Sequence, residues 1–377
     1  MTRRKKPERV ENDKRMKAAI ESVLNGEYPS AHAAAGAYGV PRATLYHRIN
    51  GRPSRQAGQE SLQLLSHAKE KELRDWITRL TITGYAPRHS TVREMAHELR
   101  LRHRPQIDEI TNLPIYYPPI GQQWVQRFLG RHSELKSTIG TMIDAARVTD
   151  STHEMLSEWF DTLRQVIQDY NITSENMYNM DESGFAIGTI EATQVIINTN
   201  IRQQFQAHPG RQEWVTCVEC ICANGTAIPS LVIFRGENLV NQWIPASVSS
   251  TWMFSCNSKG WTSNKHGLEW LERVFEPSTR AKAGGQYRLL ICDGHDSHIT
   301  GAFVAHCMDY DIVLLILPPH SSHLTQLLDV SIFRPLKKTM ATEIALLIHT
   351  GVSRIQKVEW AYSVYQSTRK SFFSTEY

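Results

Sequence analysis

The apolar residues of this chain change their spacing once along its length, and that change limits the folds open to it. Up to about residue 170 they recur every three or four positions, as a helix requires. Beyond it they come as short runs and alternations of strand length. An all-α front therefore precedes an α/β rear. MKAAIESVLNG, SAHAAAGAYGV and PRATLYHRING predict three short helices: Gly26 ends the first, Ser30 caps the second, Gly39 allows the tight turn after it, and Pro41 suits the start of the third. This is a helix-turn-helix layout, with Ile20, Val23, Leu24, Ala34, Val40, Leu45 and Ile49 as its small core. It leaves Arg42, Thr44, His47 and Arg48 for the outer face of the third helix. A helix entering the major groove needs donors there for base edges and phosphates, although a plain three-helix bundle with a solvated charged face gives the same pattern.

LLSHAKEKELRDWITRL, STVREMAHELRLRH and, after a Pro-rich insertion from Pro105 to Pro119, GQQWVQRFLGRH continue the helical spacing. Trp76, Ile77, Leu80, Met95, Leu99, Trp124, Phe128 and Leu129 are the expected core positions. THEMLSEWFDTLRQVIQDY is a strongly amphipathic helix. ENMYNMDES, ATQVIINT, WVTCVECICANG and IPSLVIFRG then predict successive strands, HGLEWLERVFEP a helix, and YRLLICDG and DIVLLILPP two buried strands around the helix TGAFVAHCMDY. Strands in a run, followed by strands alternating with helices, imply a sheet with helices on its faces.

The formal net charge of +4 is unevenly spread: residues 1–56 carry +7, whereas residues 148–377 carry −6. A cationic front is an electrostatic footprint for phosphates, and an acidic rear is compatible with carboxylates that hold divalent metal. No apolar run approaches the roughly 18 residues needed to cross a bilayer, which speaks against a membrane role. The charged opening MTRRKKPERV lacks a secretory apolar core, so an intracellular protein is expected. Cys217-x-x-Cys220 and Cys222 lack the second ligand pair of a zinc site and are expected as core thiols. No GxxxxGK[ST] loop is present, so nucleotide hydrolysis is not indicated. Trp243, Trp252, Trp261 and Trp270 are expected to pack in the core and in surface loops.

Three aspartates follow strand-like segments or precede a helix: Asp181 in NMDESGF, Asp293 in ICDGHDSH and Asp329 in HLTQLLDVSIFRPLKK. Each alone reads equally as a helix cap or a turn residue. Together they have the residue type needed for two-metal phosphodiester cleavage, in which carboxylates hold two divalent ions about 3.5–4 Å apart. His295, His298, His320 and His323 flank the second and third acids.

The segments YNMDESGF, WVTCVECICANGTAIPSLVIFRG, LLICDGHDSH and ILPPHSSHLTQLLDVSIFRPLK, in this order and with 35 residues between Asp293 and Asp329, resemble the DDE-superfamily endonuclease domain of fungal pogo-like transposases in the mariner superfamily. Residues 16–52 resemble a Pipsqueak-type helix-turn-helix, and residues 60–135 resemble the helix-turn-helix module shared with centromere protein B. The organisation expected is a disordered basic arm at 1–15, these two modules, a linker at 136–150, and a DDE endonuclease domain at 151–377 truncated at its C-terminus.

The resemblance implies an α/β ribonuclease-H-like catalytic domain, a mixed sheet flanked by helices, preceded by the all-α modules. It also implies two Mg²⁺ or Mn²⁺ ions on Asp181, Asp293 and Asp329 as catalytic acids. The expected partners are double-stranded DNA, as terminal inverted repeats and TA target, and a second copy of the chain in synapsis, with no small-molecule substrate and a nuclear location. The third motif reads QLLD, so Leu327 replaces the proline usual in the family. The rival reading is a domesticated or decayed, non-catalytic DNA-binding protein resembling centromere protein B.

If the third helix reads DNA, Arg42→Ala and Arg48→Ala each weaken binding and reduce the slope of log affinity against log salt by about one ion. Titration of binding across salt concentrations checks this.

Overall fold

The computed structural model describes residues 7–52, 63–104, 107–108, 112–138, 152–187, 213–319, 321–350, 352 and 355–373. The expected strand ATQVIINT, most of the two linkers, residues 1–6, His320 and the chain end at Tyr377 lie outside the described residues. Two compact units emerge: Met1–Glu72 with Gln126–Lys136, and Leu73–Val125 with Ser137–Tyr377.

The first unit contains α1 (Pro7–Leu24), α2 (Ala31–Tyr38) and α3 (Arg42–Ile49). Ala19, Ala34, Ala35, Val40 and Leu45 bury its core, with Ile20, Val23 and Ile49 packed against them. Ser30 accepts the Ala33 N–H at 3.3 Å, and Gly39 closes α2 at φ 61°, a conformation that costs glycine little. Pro41 stands one residue before α3, as its cap rather than its first residue. Two expectations are corrected. Helix α1 already begins at Pro7, so residues 7–15, expected as a disordered arm, are helical; proline suits a first helical position because its missing N–H costs no bond there. Leu24, expected in the core, is exposed because α1 ends on it.

Two further helices, α4 (His67–Ile82) and α6 (Gln122–Arg131), have their ends in this unit. Buried Glu70 accepts two bonds from the Arg131 guanidinium, at 2.8 and 2.5 Å, the paired geometry that a planar fork offers a carboxylate.

The second unit holds α5 (His89–Arg102), α7 (Thr152–Asp169) and a six-stranded sheet: β1 (Met177–Ile187), β2 (Glu213–Cys222), β3 (Leu231–Arg235), β4 (Met253–Asn257), β5 (Arg288–Cys292) and β6 (Ile312–Ile316). The strand order is β4-β3-β2-β1-β5-β6. β1, β2 and β3 form an antiparallel meander, while β5 and β6 continue beyond β1 in parallel. This is the mixed, ribonuclease-H-like sheet that was expected. β5 and β6 are buried throughout and, apart from Arg288, which donates to Thr279 Oγ1 at 2.9 Å, apolar, as parallel strands covered on both faces tend to be. β4 was not foreseen, being a five-residue edge strand whose side chains are only half-buried.

One face of the sheet is covered in two halves. α7 places Trp159 and Val166 over Leu289, Ile291, Val313 and Leu315, and the Trp159 indole N–H donates to Ile316 O at 2.8 Å. α12 (Phe333–His349) and α13 (Lys357–Phe373) cover the meander, where Leu336, Met340 and Trp360 meet Phe185, Cys217 and Phe234. The opposite face takes α8 (Asn264–Trp270), a π turn at Leu271–Phe275, α9 (Glu276–Ala283) and α10 (Gly301–Asp309). There Tyr178 meets Phe275 edge-on at 5.2 Å. A four-residue helix, α11 (Ser322–Thr325), precedes a second π turn at Leu328–Ile332. Among the described residues no helix is long and apolar enough to cross a membrane.

Trp360 is fully buried between the Phe185 and Phe234 rings. Trp360→Ala is therefore expected to destabilise the sheet-bearing unit by about 3–5 kcal/mol, measured by denaturant unfolding.

Candidate active site and candidate nucleic-acid interface

β1 reads MYNMDESGFAI, and its alternation decides where Asp181 goes. Asp181 shares a parity with Phe185 and Ile187, which put their side chains into the core under α12, so it lies on that same face. It is paired across the antiparallel ladder with Glu219 of β2. On the other side β1 runs parallel to β5 with Asn179 opposite Ile291, and two residues further along each strand stand Asp181 and Asp293. The Asn179 amide donates to Ile291 O at 3.3 Å and fastens the strands just below the two acids. Asp293 is the first residue past β5, at the C-terminal edge where open sheets place their ligands.

Asp329 arrives from far along the chain, in the π turn that leads into α12. Pro335 cannot donate to the carbonyl four residues before it, and the helix is widened just upstream. Gln326, fully buried, donates from Nε2 to Met180 O at 3.1 Å, which ties the third segment to the strand of the first acid. Leu327 has φ −59°, within the range a proline takes, and Gln326 is extended at ψ 101°, outside the α region that a following proline disfavours. The backbone at Leu327 is thus one that a proline could also adopt.

The electrostatics register this assembly. Burial pushes the Asp181 carboxyl up to about 8, and the charges of Asp329, Asp293 and Glu182 add to it, against a backbone hydrogen bond that opposes. Burial also raises Asp329, with Lys337 opposing and Asp293 reinforcing. Asp293 behaves differently: burial pushes it up, but the hydrogen bond and charge of His298 and the His295 N–H outweigh this and hold it below the usual carboxylate range. Buried His298 directs Nδ1 at Asp293 Oδ1 (3.0 Å) and Nε2 at Glu182 Oε1 (3.2 Å). Ionised carboxylates only accept, so the imidazolium satisfies both bonds. Its pKa is raised well above the ordinary value because these partners and Cys292 overcome the burial that opposes protonation. Glu219 is completely buried, donated to by Ser230 Oγ at 2.7 Å, and pushed up to about 7 by burial.

All three predicted aspartates thus lie within electrostatic reach of one another. Asp181 is buried, Asp293 half-buried and Asp329 exposed. Among the described residues, no three His, Cys, Asp or Glu side chains converge closely enough to hold a metal ion. The donor set nevertheless fits one by its chemistry: hard carboxylate oxygens suit Mg²⁺ and Mn²⁺, and a buried acid repelled by three others is what a divalent cation relieves. Sequence reasoning missed Glu182, Glu219 and Gln326. A polar Gln inside HLTQLLDV was the available sign for the last; nothing in the sequence marked Glu219 as a buried neighbour of Asp181.

In the other unit, Arg42, Thr44 and His47 are exposed on α3, Arg48 is half-buried, and Leu45 and Ile49 face inward. Tyr46, not anticipated, is exposed beside His47 on the same helix. Of the cysteines and tryptophans, Cys217, Cys220 and Cys222 are buried in β2, Trp270 is buried, and Trp261 remains half-exposed beside Trp214.

Comparison with known proteins gives three family matches: the DDE superfamily endonuclease over residues 211–370, the Psq-domain helix-turn-helix over 12–57, and the Tc5 transposase DNA-binding domain over 68–139. Among curated relatives, a Cochliobolus lunatus protein named MFS-type transporter clz9 is 30% identical over 90% of this chain and 32% of its own length. The pogo transposable element with KRAB domain of Mus musculus is 24% identical over 46% of this chain and 28% of its own. The chain spans less than half the length of these relatives. Among solved structures, the Mos1 transposase paired-end complex with left transposon end is similar at a TM-score of 0.37 and 10% identity, covering 96% of this chain and 95% of that one.

Because Asp181 is buried amid like charges, Asp181→Asn is expected to raise the metal-free melting temperature by about 2–4 °C and to abolish any further rise on adding Mn²⁺. Thermal melts with and without the ion test both halves.

Proposed function

We propose, from the matches to the DDE superfamily endonuclease and to the Psq and Tc5 helix-turn-helix models, that this chain is a pogo-like DNA transposase that cuts and joins strands at Asp181, Asp293 and Asp329. The observation that carries the reading is the convergence of three distant segments: Asp181 and Asp293 stand two residues beyond the paired Asn179 and Ile291 of β1 and β5, and Gln326 ties the turn bearing Asp329 to Met180 of β1. A purely structural role, each acid capping its own turn, gives no reason for them to lie within electrostatic reach of one another.

Asp181, Asp293 and Asp329 would hold the divalent ions. Bound there, two such ions supply an activated water and charge neutralisation at the phosphorus. The chain's own residues do the positioning. His298 fixes the Asp293 carboxylate by a charge-assisted bond and supplies a positive charge beside it. Gln326 keeps the Asp329 segment against β1. Lys337, close enough to lower Asp329, offers a cation toward an incoming phosphate. In the first unit, Arg42, Thr44, His47 and Arg48 on α3 contact the element's terminal inverted repeats, with insertion at TA, synapsis of two copies and action in the nucleus following from the same reading.

Full-length protein with Mg²⁺ or Mn²⁺ is expected to nick duplex DNA carrying the inverted repeats that flank its gene. Asp293→Ala is expected to lower nicking at least about 10³-fold while leaving binding of that duplex unchanged. Binding without cutting by the wild-type chain would instead identify a non-catalytic DNA-binding protein.

A further inference from the structure

α4 ends in a tight reversal: Gly84 adopts φ +85°, its N–H donates to Thr81 O at 3.2 Å, and the Tyr85 N–H donates to Leu80 O at 2.8 Å. This capped end aims the Tyr85 ring at the loop after β5. A Cβ built on Gly294 would fall 2.0 Å from Tyr85 Cζ and 2.3 Å from its hydroxyl oxygen, so the ring lies flush on the backbone of the residue that follows Asp293. Gly84 itself sits against Pro319, where an added Cβ would be 3.3 Å from the ring Cγ. The α4–α5 turn is therefore seated on two loops, the one bearing Asp293 and the one that leads from β6 toward Asp329. Burial, with the Asp293 charge next, keeps the phenol protonated, as expected of a ring held against that acid.

The turn is anchored from behind. A Cβ on Gly301 of α10 would lie 2.9 Å from Met95 N, so α5 and α10 pack almost backbone to backbone, with Met95 and Leu99 fully buried. Arg102 reaches Glu272 (3.7 Å) and Asp309 (3.8 Å), and His103 Nε2 meets Asp309 at 2.9 Å. A segment counted by its sequence among the DNA-binding helices is built into the unit that carries the acids.

We propose that Tyr85 is a positioning residue of the nuclease centre: its ring braces the Asp293–His295 turn so that His298 grips the Asp293 carboxylate in the geometry that takes a divalent ion. This rests on the metal-dependent reading above. Without the ring, Gly294 regains its wide backbone freedom and the acid is held less firmly. Outer partners of metal ligands typically govern affinity by about 10–100-fold.

The test is Mn²⁺ binding by calorimetry on the full chain, alongside nicking and affinity for the repeat duplex. Tyr85→Ala is expected to weaken Mn²⁺ binding at least about tenfold and raise the Mn²⁺ needed for half-maximal nicking equally, with duplex affinity unchanged. Tyr85→Phe, which keeps the ring, is expected to restore Mn²⁺ affinity to within about threefold of wild type. Should Tyr85→Ala melt before it can be measured, Tyr85→Leu, which fills the space without a flat ring, takes its place with the same expectation. Wild-type Mn²⁺ affinity in the Ala or Leu variant, while Asp293→Ala loses it, overturns the brace alone. Equal Mn²⁺ binding by wild type and Asp293→Ala overturns the metal site and the brace with it.

Discussion

A carboxyl on the central strand of a buried sheet is expensive, and the architecture of the second unit can be understood as the means of keeping it there. Asp181 has a strand on either side, a core face beneath its neighbours, and three other acids within electrostatic range. An uncompensated charge in that position would cost several kcal/mol. The protein answers in part by leaving the carboxyl inclined to hold a proton and in part by bringing cationic groups to the rim: His298 against Asp293 and Lys337 toward Asp329. The repulsion that remains is an affinity for positive charge, built into the strand order itself.

The topology makes the crowding unavoidable. β1 has an antiparallel partner, β2, on one side and a parallel one, β5, on the other. A residue near its middle is thus brought level with the end of β5, where the chain leaves the sheet, and with Glu219 in the interior of β2. The third acid needs no strand at all. It comes in on the turn that starts α12, and the apolar face of that helix is what the meander requires for its cover. The same packing that buries Phe185 and Trp360 delivers Asp329 to its place.

Much of this was legible from the residues. Periodicity separated helices from strands, and five of the six strands in the described sheet coincide with segments read as strands. The exceptions have physical causes. β4 is short, half-buried and at an edge, so it carries no alternating pattern strong enough to see. α1 extends further toward the N-terminus than its apolar spacing implies, because its first residues are charged and lack an apolar stripe. The three aspartates were singled out by motif and resemblance. Their helpers were not, because Gln326, Glu182 and Glu219 matter through contacts across 146, 116 and 11 residues of chain.

By itself the sequence determined the change from helical to strand spacing along the chain, the sign of the charge at its front and rear, and the presence of three aspartates beside strand-like segments, since each of these is written in local pattern and composition. Only the tertiary structure decided which of those residues meet: that Asp181 is buried while Asp329 is exposed, that His298 serves Asp293, and that the α4–α5 turn lays Tyr85 on Gly294. The reason is physical. Burial, register and close approach are properties of pairs of distant segments, and a periodicity read along one segment holds no information about what will be packed against it.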